Sequence, residues 1–302
     1  MLTIAQVVRE TVRFGDREAL VDGDRRWSFS EVVKAVESAA RSFIALGLQH
    51  GDRLAIWAPN SAEWIFSALG VQIVGGVLVP INTRFKGSEA AYVLNHSGAK
   101  FLLCDNKFLG QNYAQELRDS GITLPSLEHI IDFSGATDAQ CTPWQDFLER
   151  GHSVPLMAVH EREQKIMPSD LCDIIFTSGT TGKPKGVMSR HDQTIRVFTE
   201  WSSIVGLSGG FRILEIARHH VVSATDDFAG HPTRNLSIIL VHDSHFNVTD
   251  RSTTCCGDCQ WIIISATHRD RARRFGESIS GKDHSECEFL THAANHLYWN
   301  GR

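Results

Sequence analysis

Two kinds of hydrophobic pattern alternate along the first part of the chain. Thr3 and Gln6 form a capping-box pattern ahead of apolar residues at helical spacing, and Gly15 is placed to end that helix. The next apolar stripe predicts a longer helix that begins at Ser30 and ends near Gly47. Between the two helices the pattern predicts a hairpin, with strands at residues 18–21 and 26–29 and a turn at 22–24.

Short, almost continuous apolar runs then alternate with helical stretches. The runs predict strands at residues 54–57, 77–81, 101–104, 128–132 and 173–177. The stretches between them predict helices that open at Ser61 and Ser88 and others at 110–118 and 143–150, whereas 151–169 show no clear period. Strands that are apolar on both faces and alternate with helices are typical of a parallel sheet covered on both sides. The predicted fold class is therefore α/β, with a largely parallel sheet and helices on both faces.

The composition changes near Gly210. Residues 211–302 contain 9 of the 15 His and four of the seven Cys, but only five of the 24 Gly and one of the eight Pro. This shift predicts a domain at 1–210 and a divergent, poorly structured tail at 211–302. Within the tail, the apolar runs at 237–241 and 261–264 are candidate strands.

Composition and charge exclude several classes of protein. The 302 residues are 42% hydrophobic and 22% charged, which is ordinary globular usage and excludes a wholly disordered chain. A formal net charge of −5 gives no electrostatic reason to expect nucleic acid as a partner. No apolar run is long enough to span a bilayer, and the first residues lack a signal-peptide pattern. We therefore expect a cytoplasmic protein whose cysteines are reduced.

A segment rich in glycine and hydroxyl groups follows the strand predicted at 173–177. Glycine lets backbone N–H groups approach anionic oxygens, hydroxyls donate further hydrogen bonds, and lysine adds a positive charge. The segment is not a Walker A loop, because Pro184 stands where the second glycine would follow Gly179 after four intervening residues. It predicts a polyphosphate-binding loop, and the alternative is a flexible surface loop. The candidate binding residues are Thr177, Ser178, Gly179, Thr180, Thr181, Gly182, Lys185 and Gly186.

Residues 176–187 also resemble a known signature. They read Phe-Thr-Ser-Gly-Thr-Thr-Gly-Lys-Pro-Lys-Gly-Val and are similar to the phosphate loop of the AMP-forming adenylate ligases, which include acyl-CoA synthetases, peptide-synthetase adenylation domains and luciferases. Upstream stretches at 26–31, 51–61 and 75–82 resemble the same superfamily. The resemblance covers about residues 2–208.

This resemblance implies ATP-dependent activation of a fatty-acid-like carboxylic acid. The carboxylate attacks the α-phosphorus of ATP to give an acyl-adenylate, and coenzyme A then displaces AMP, with Mg²⁺ and the loop donors neutralising charge. By position, Lys185 is the charged partner of the phosphates and Lys183 is solvated. The resemblance leaves two roles open for His191, which either supports the helix after the loop or acts as a capping or surface residue.

The resemblance also predicts that the chain is incomplete. Members of the superfamily continue into motifs for adenine, ribose and a catalytic lysine, and none is recognisable after Gly210; the segment Ser280-Gly281-Lys282 lacks the flanking residues of the lysine motif. We expect the partial N-terminal domain of an acid–CoA ligase that is inactive alone, followed by a frame-shifted or alternative sequence. Accordingly, no catalytic residue and no metal ligand is assigned.

Two other functions remain open from the residues alone. One is a non-catalytic fragment that binds a nucleotide or a partner and forms an oligomer with a full-length ligase. The other is a zinc-binding interaction module in the tail, whose His and Cys spacing is compatible with a tetrahedral site. Its candidate ligands are His242, His245, Cys255, Cys256 and Cys259.

Overall fold

The structure is a computed structural model that describes residues 2–135, 138–177, 183–204, 212–215, 236–238 and 261–263. The helices in these ranges are α1 (Ile4–Glu10), α2 (Phe29–Ala45), α3 (Ala62–Gln72), α4 (Gly87–Ser97), α5 (Tyr113–Asp119), α6 (Trp144–Arg150), α7 (Leu156–Glu163) and α8 (His191–Ile204). The strands are β1 (Glu18–Asp22), β2 (Arg25–Ser28), β3 (Arg53–Trp57), β4 (Val77–Pro80), β5 (Phe101–Cys104), β6 (His129–Asp132), β7 (Thr142–Pro143), β8 (Leu171–Thr177), β9 (Lys185–Arg190), β10 (Arg212–Glu215), β11 (Leu236–Ile238) and β12 (Trp261–Ile263).

Seven strands form the main sheet, in the order β7-β6-β5-β3-β4-β8-β9. Every neighbouring pair is parallel except β8 and β9, which form an antiparallel hairpin. The parallel part confirms the fold class predicted from the alternating strands and helices. The antiparallel β9 adds an edge strand that the sequence analysis did not predict, since its residues are largely exposed.

Helices cover both faces of this sheet. Alternate residues of β3 enter different hydrophobic clusters: Leu54 and Ile56 pack with α2 and α3, whereas Ala55 and Trp57 pack with α4 and α5. Successive side chains of a strand point to opposite faces, so a strand buried on both sides must be apolar at every position. The uninterrupted apolar runs of the sequence follow from this arrangement.

A second sheet packs beside the N-terminal helices. Its order is β12-β10-β11-β1-β2, with β1 antiparallel to both β2 and β11. The short strands β11 and β12 overlap the two runs predicted in the tail. Apart from β10, the rest of the tail, including the candidate zinc ligands, lies outside the described residues.

Several predicted helix starts are wrong, including that of α5, which begins at Tyr113 and not near residue 110. The N-cap of α2 is Ser28, whose hydroxyl accepts a hydrogen bond from the backbone N–H of Glu31 at 3.2 Å, and not Ser30. The Glu31 carboxylate accepts a hydrogen bond from the backbone N–H of Ser28, so a complete capping box sets the earlier start. Helix α4 begins at Gly87 rather than after Ser88. A Cβ on Gly87 would lie 1.9 Å from the carbonyl oxygen of Glu116, so glycine permits the close contact between α4 and α5.

The segment at 151–169, which showed no hydrophobic period, contains helix α7. Only one apolar residue of this helix, Val159, is buried, and polar contacts hold the rest in place. Arg9 forms an ion pair with Glu163 at 2.7 Å, which joins α1 to α7. A helix held by polar contacts with distant residues leaves little periodicity for sequence analysis to detect. Among the helices of the described residues, none combines the length and apolar character needed to cross a membrane.

Candidate functional site

The candidate site lies at the tip of the β8–β9 hairpin. Strand β8 ends at Thr177 and β9 begins at Lys185, and these two residues are register partners. Of the residues predicted to bind phosphate, the structure therefore places Thr177, Lys185 and Gly186 together. The others, Ser178, Gly179, Thr180, Thr181 and Gly182, lie outside the described residues.

A hydroxyl and an ammonium group stand side by side at this tip. Register partners in an antiparallel pair point to the same face of the sheet, so the side chains of Thr177 and Lys185 are neighbours. Thr177 is half-buried, whereas Lys185 is exposed. The pair offers one hydrogen-bond donor and one positive charge to an anion at the end of the strand. Lys183 is also exposed.

Gly186 lies against the aromatic ring of its register partner, Phe176. A Cβ at Gly186 would lie 3.2 Å from Cζ of Phe176 and 2.9 Å from Cγ2 of Ile174. Distances this short require these side chains or the strand to move, so glycine lets β9 pack closely on β8. This packing fixes the position of Lys185, the next residue back along β9.

Helix α4 supports the hairpin from the opposite face. The ring of Tyr92 meets Phe176 edge-on with centroids 6.5 Å apart, and its hydroxyl donates a hydrogen bond to the carbonyl oxygen of Pro184 at 3.2 Å. His96, one turn later, stacks on Tyr92 at 5.1 Å and also contacts Phe176. Pro184 directly precedes Lys185, so the hydrogen bond from Tyr92 connects α4 to the backbone that leads into Lys185.

A buried carboxylate lies at the other end of the hairpin. Oδ2 of Asp173 accepts a hydrogen bond from Oγ1 of Thr194 at 3.1 Å and one from Sγ of Cys172 at 3.2 Å. Burial raises the pKa of the Asp173 carboxyl and also that of the Cys172 thiol. The hydrogen bond with Thr194 connects β8 to α8. The hairpin is therefore contacted by α8 at the end away from the tip and by α4 near the tip.

His191 is a buried residue, which excludes the surface role considered for it. Its Nδ1 accepts a hydrogen bond from the backbone N–H of Ile4 at 3.3 Å, and the backbone N–H of His191 donates to the carbonyl oxygen of Asp170 at 3.1 Å. Burial lowers the pKa of the imidazole to about 4, so the ring is neutral near pH 7. It joins the start of α8 to α1 and lies at the opposite end of β9 from Lys185.

Within the described residues, no group of three or more His, Cys, Asp or Glu side chains is arranged to hold a metal ion. What the hairpin tip provides instead is a hydroxyl, a lysine and a close-packed glycine strand. Such groups suit the oxygens of a phosphate chain better than they suit a cation.

Comparison with known proteins identifies the family of the chain. Residues 8–226, well over half of the chain, match the family described as AMP-binding enzyme. The chain belongs to the AMP-binding enzyme family. The match includes the whole β8–β9 hairpin and continues past residue 208, where the resemblance noted in the sequence ends.

The curated relatives of this AMP-binding chain include CoA ligases. It is 37% identical over 188 residues to the "3-[(3aS,4S,7aS)-7a-methyl-1,5-dioxo-octahydro-1H-inden-4-yl]propanoyl:CoA ligase" of Mycobacterium tuberculosis, covering 62% of this chain and 36% of the relative. It is 33% identical over 213 residues to the mitochondrial medium-chain acyl-CoA ligase ACSF2 of Danio rerio, covering 64% of this chain and 34% of the relative. The chain thus spans about a third of the length of these relatives.

Solved structures show the same fold as this AMP-binding chain. The inhibitor-bound N-terminal domain of FACL13 from Mycobacterium tuberculosis matches with a TM-score of 0.59 and 24% identity, covering 72% of this chain and 51% of that one. The anthranilate CoA ligase AuaEII in complex with anthranoyl-AMP matches with a TM-score of 0.56 and 24% identity, covering 67% of this chain and 37% of that one.

Two residues of the site escaped the sequence analysis. Asp173 offered a signal, since a carboxylate at the start of an apolar strand must find partners once it is buried. Tyr92 offered none, because it contacts Pro184 across 92 positions of the chain and no local pattern reports such a contact.

Proposed function

We propose that the β8–β9 tip binds the phosphates of ATP in the activation step of an acyl-CoA ligase. The reaction is activation of a fatty-acid-like carboxylic acid to an acyl-adenylate, followed by transfer of the acyl group to CoA. The observation that carries this proposal is the register pairing of Thr177 with Lys185 at the end of β8. Family membership and the CoA-ligase relatives support it.

The chemistry of the tip suits this step. A carboxylate and a triphosphate repel each other, so attack on the α-phosphorus requires groups that neutralise negative charge. Lys185 supplies a charge and Thr177 a hydroxyl, while Ser178, Gly179, Thr180, Thr181, Gly182 and Gly186 are proposed to complete the phosphate contacts. Mg²⁺, when bound with the nucleotide, supplies further charge neutralisation.

We propose that residues 1–210 are part of the N-terminal ligase domain and that 211–302 are a divergent tail. On this proposal the chain binds ATP but does not form acyl-CoA by itself, because the sequence after Gly210 lacks recognisable adenine, ribose and catalytic-lysine motifs. The cytoplasmic location expected from the sequence belongs to the same proposal.

Two measurements on the purified chain test these statements. Equilibrium dialysis with Mg-ATP should detect binding, and Lys185→Gln should weaken it by about tenfold, as expected for one charge-assisted contact of about 1.5 kcal/mol. Lys183→Gln, an exposed lysine two residues away, is the matched control and should bind ATP as the wild type does. Equal loss in both variants would contradict the specific role of Lys185.

The second measurement is ATP–pyrophosphate exchange with a panel of carboxylic acids. We expect no exchange above background. Robust exchange would show that the chain completes adenylate formation and would overturn the proposed inactivity, while leaving the phosphate site in place. A partner-binding fragment, the alternative reading of the sequence, predicts instead that the chain co-purifies with a full-length ligase.

A further inference from the structure

Helix α4 contributes one polar contact to the hairpin that carries the proposed phosphate site. The hydroxyl of Tyr92 donates to the carbonyl oxygen of Pro184 at 3.2 Å, and this carbonyl belongs to the peptide bond that leads into Lys185. The residue is half-buried, and its ring packs on Phe176, which is the register partner of Gly186. One side chain therefore contacts both strand β8 and the residue that leads into β9.

We propose that Tyr92 is a positioning residue for the phosphate site, acting through the backbone of Pro184 to fix Lys185. This inference rests on the proposed function of the tip. Tyr92 does not itself touch the nucleotide. Side chains alternate along β8, so Phe176 and Thr177 point to opposite faces of the sheet. Tyr92 contacts Phe176 on one face, whereas Lys185 is the register partner of Thr177 on the other.

The geometry at the tip explains why such a residue is needed. Among the described strands, β9 lies at the edge of the sheet, and its side chains are mostly exposed, so packing restrains it only weakly. Gly186 gives close contact with Phe176 but has no side chain of its own to anchor the strand. The hydrogen bond from Tyr92 holds the backbone one residue before Lys185, where the hairpin ladder has only just begun.

The aromatic contacts around Tyr92 hold its hydroxyl in place. His96 stacks on the Tyr92 ring with planes 16° apart, and both rings meet Phe176 edge-on. These contacts involve the ring and not the hydroxyl, so Tyr92→Phe should remove the hydrogen bond while the packing stays intact.

The chain contains a matched control for this substitution. Tyr113 on α5 also donates its hydroxyl to a backbone carbonyl, that of Thr83, at 2.9 Å, and it stacks on Trp57 with centroids 4.3 Å apart. Thr83 lies after β4, in a different connection from the hairpin tip. Tyr113→Phe therefore removes the same kind of bond without touching β8 or β9.

The experiment compares wild type, Tyr92→Phe and Tyr113→Phe in two assays. Hydrogen exchange without nucleotide should be faster in the peptide covering 183–187 for Tyr92→Phe and unchanged there for Tyr113→Phe. The dissociation constant for Mg-ATP should rise about fivefold for Tyr92→Phe, as expected for loss of one neutral hydrogen bond. It should stay within about twofold of the wild type for Tyr113→Phe, with thermal midpoints of the two variants alike.

The outcomes separate the inference from the proposed function. The inference would be overturned if Tyr92→Phe showed the hydrogen-exchange rate and the ATP affinity of the wild type. It would also be overturned if hydrogen exchange became faster while the ATP affinity stayed unchanged. Equal loss of ATP affinity in Tyr113→Phe would also overturn it, because the effect would then be general to the fold. A wild-type chain that does not bind ATP would instead overturn the proposed function, and with it the role of Tyr92 in nucleotide binding.

Discussion

The interior of the main sheet and its hairpin edge are built on different physical principles. Strands β3 and β5 are buried at nearly every position, and their side chains pack under helices on both faces. Strand β9 is exposed along most of its length and is held by its ladder with β8, by Gly186 and by the hydroxyl of Tyr92. The interior gives the fold its stability, whereas the edge presents a charged, hydrogen-bonding tip to the solvent.

Truncating a side chain in the interior should have the largest effect. Phe43 of α2 is fully buried. The centroid of its ring lies 4.9 Å from the ring centroid of Phe147 and 6.1 Å from that of Phe101. Phe43→Ala should lower the free energy of unfolding by about 3–5 kcal/mol, measured by urea denaturation. Met188→Ala on β9, where the side chain is 69% exposed, should change it by less than about 0.5 kcal/mol. Similar losses in the two variants would contradict the division between interior and edge.

Acid should destabilise the attachment of β9 and α8 through His191. Burial lowers the pKa of the native imidazole to about 4, below the ordinary value of 6.5. The unfolded chain therefore binds the proton more readily than the folded chain does. The contribution of neutral His191 to the free energy of unfolding is thus complete above about pH 6.5 and is lost as the pH falls toward 4. The full difference corresponds to about 3 kcal/mol.

The control for this pH effect is His191→Gln, which keeps a neutral acceptor near the N–H of Ile4. Urea denaturation between pH 7 and pH 4 should show a shallower loss of stability in this variant than in the wild type. Parallel pH profiles for the wild type and His191→Gln would show that His191 does not contribute.

A methyl group on the edge strand should cost less than the interior truncation. In Gly186→Ala the new Cβ would lie within 3.2 Å of side-chain atoms of both Ile174 and Phe176, so these side chains or β9 must shift. We expect a loss of about 1–3 kcal/mol in the free energy of unfolding, together with weaker binding of Mg-ATP. Val187→Ala, at a neighbouring position that is 52% exposed, should leave both quantities nearly unchanged. If Gly186→Ala bound ATP as tightly as the wild type, close packing at this position would not matter for the site.

The same division decides what the sequence could reveal. Strand β5 was predicted with its observed bounds, because a strand buried on both faces must be an unbroken apolar run. Strand β9 was missed, since an exposed edge strand carries no such run. Helix α7 was missed for a related reason, because ion pairs with distant residues and a single buried Val159 leave no hydrophobic period.

The candidate site shows the same limit. Hydroxyls, glycines and lysines close together in the sequence were enough to predict a phosphate loop, because the proposed phosphate contacts depend on residues that are neighbours in the chain. Two residues that link the hairpin to its neighbours were not predicted as site residues: Tyr92, which contacts the hairpin from α4, and Asp173, which bonds β8 to α8. Their contacts depend on how α4 and α8 pack on β8, which no local pattern encodes.

Competition between ATP and simpler ligands tests the central claim, that the tip binds the phosphate chain of a nucleotide. Tripolyphosphate and adenosine would each be titrated against labelled Mg-ATP bound to the chain, with Lys185→Gln measured in parallel. We predict that tripolyphosphate displaces ATP, that adenosine does so only weakly, and that Lys185→Gln weakens the binding of ATP and tripolyphosphate by the same factor. Displacement by adenosine alone, with no effect of Lys185→Gln, would contradict the account.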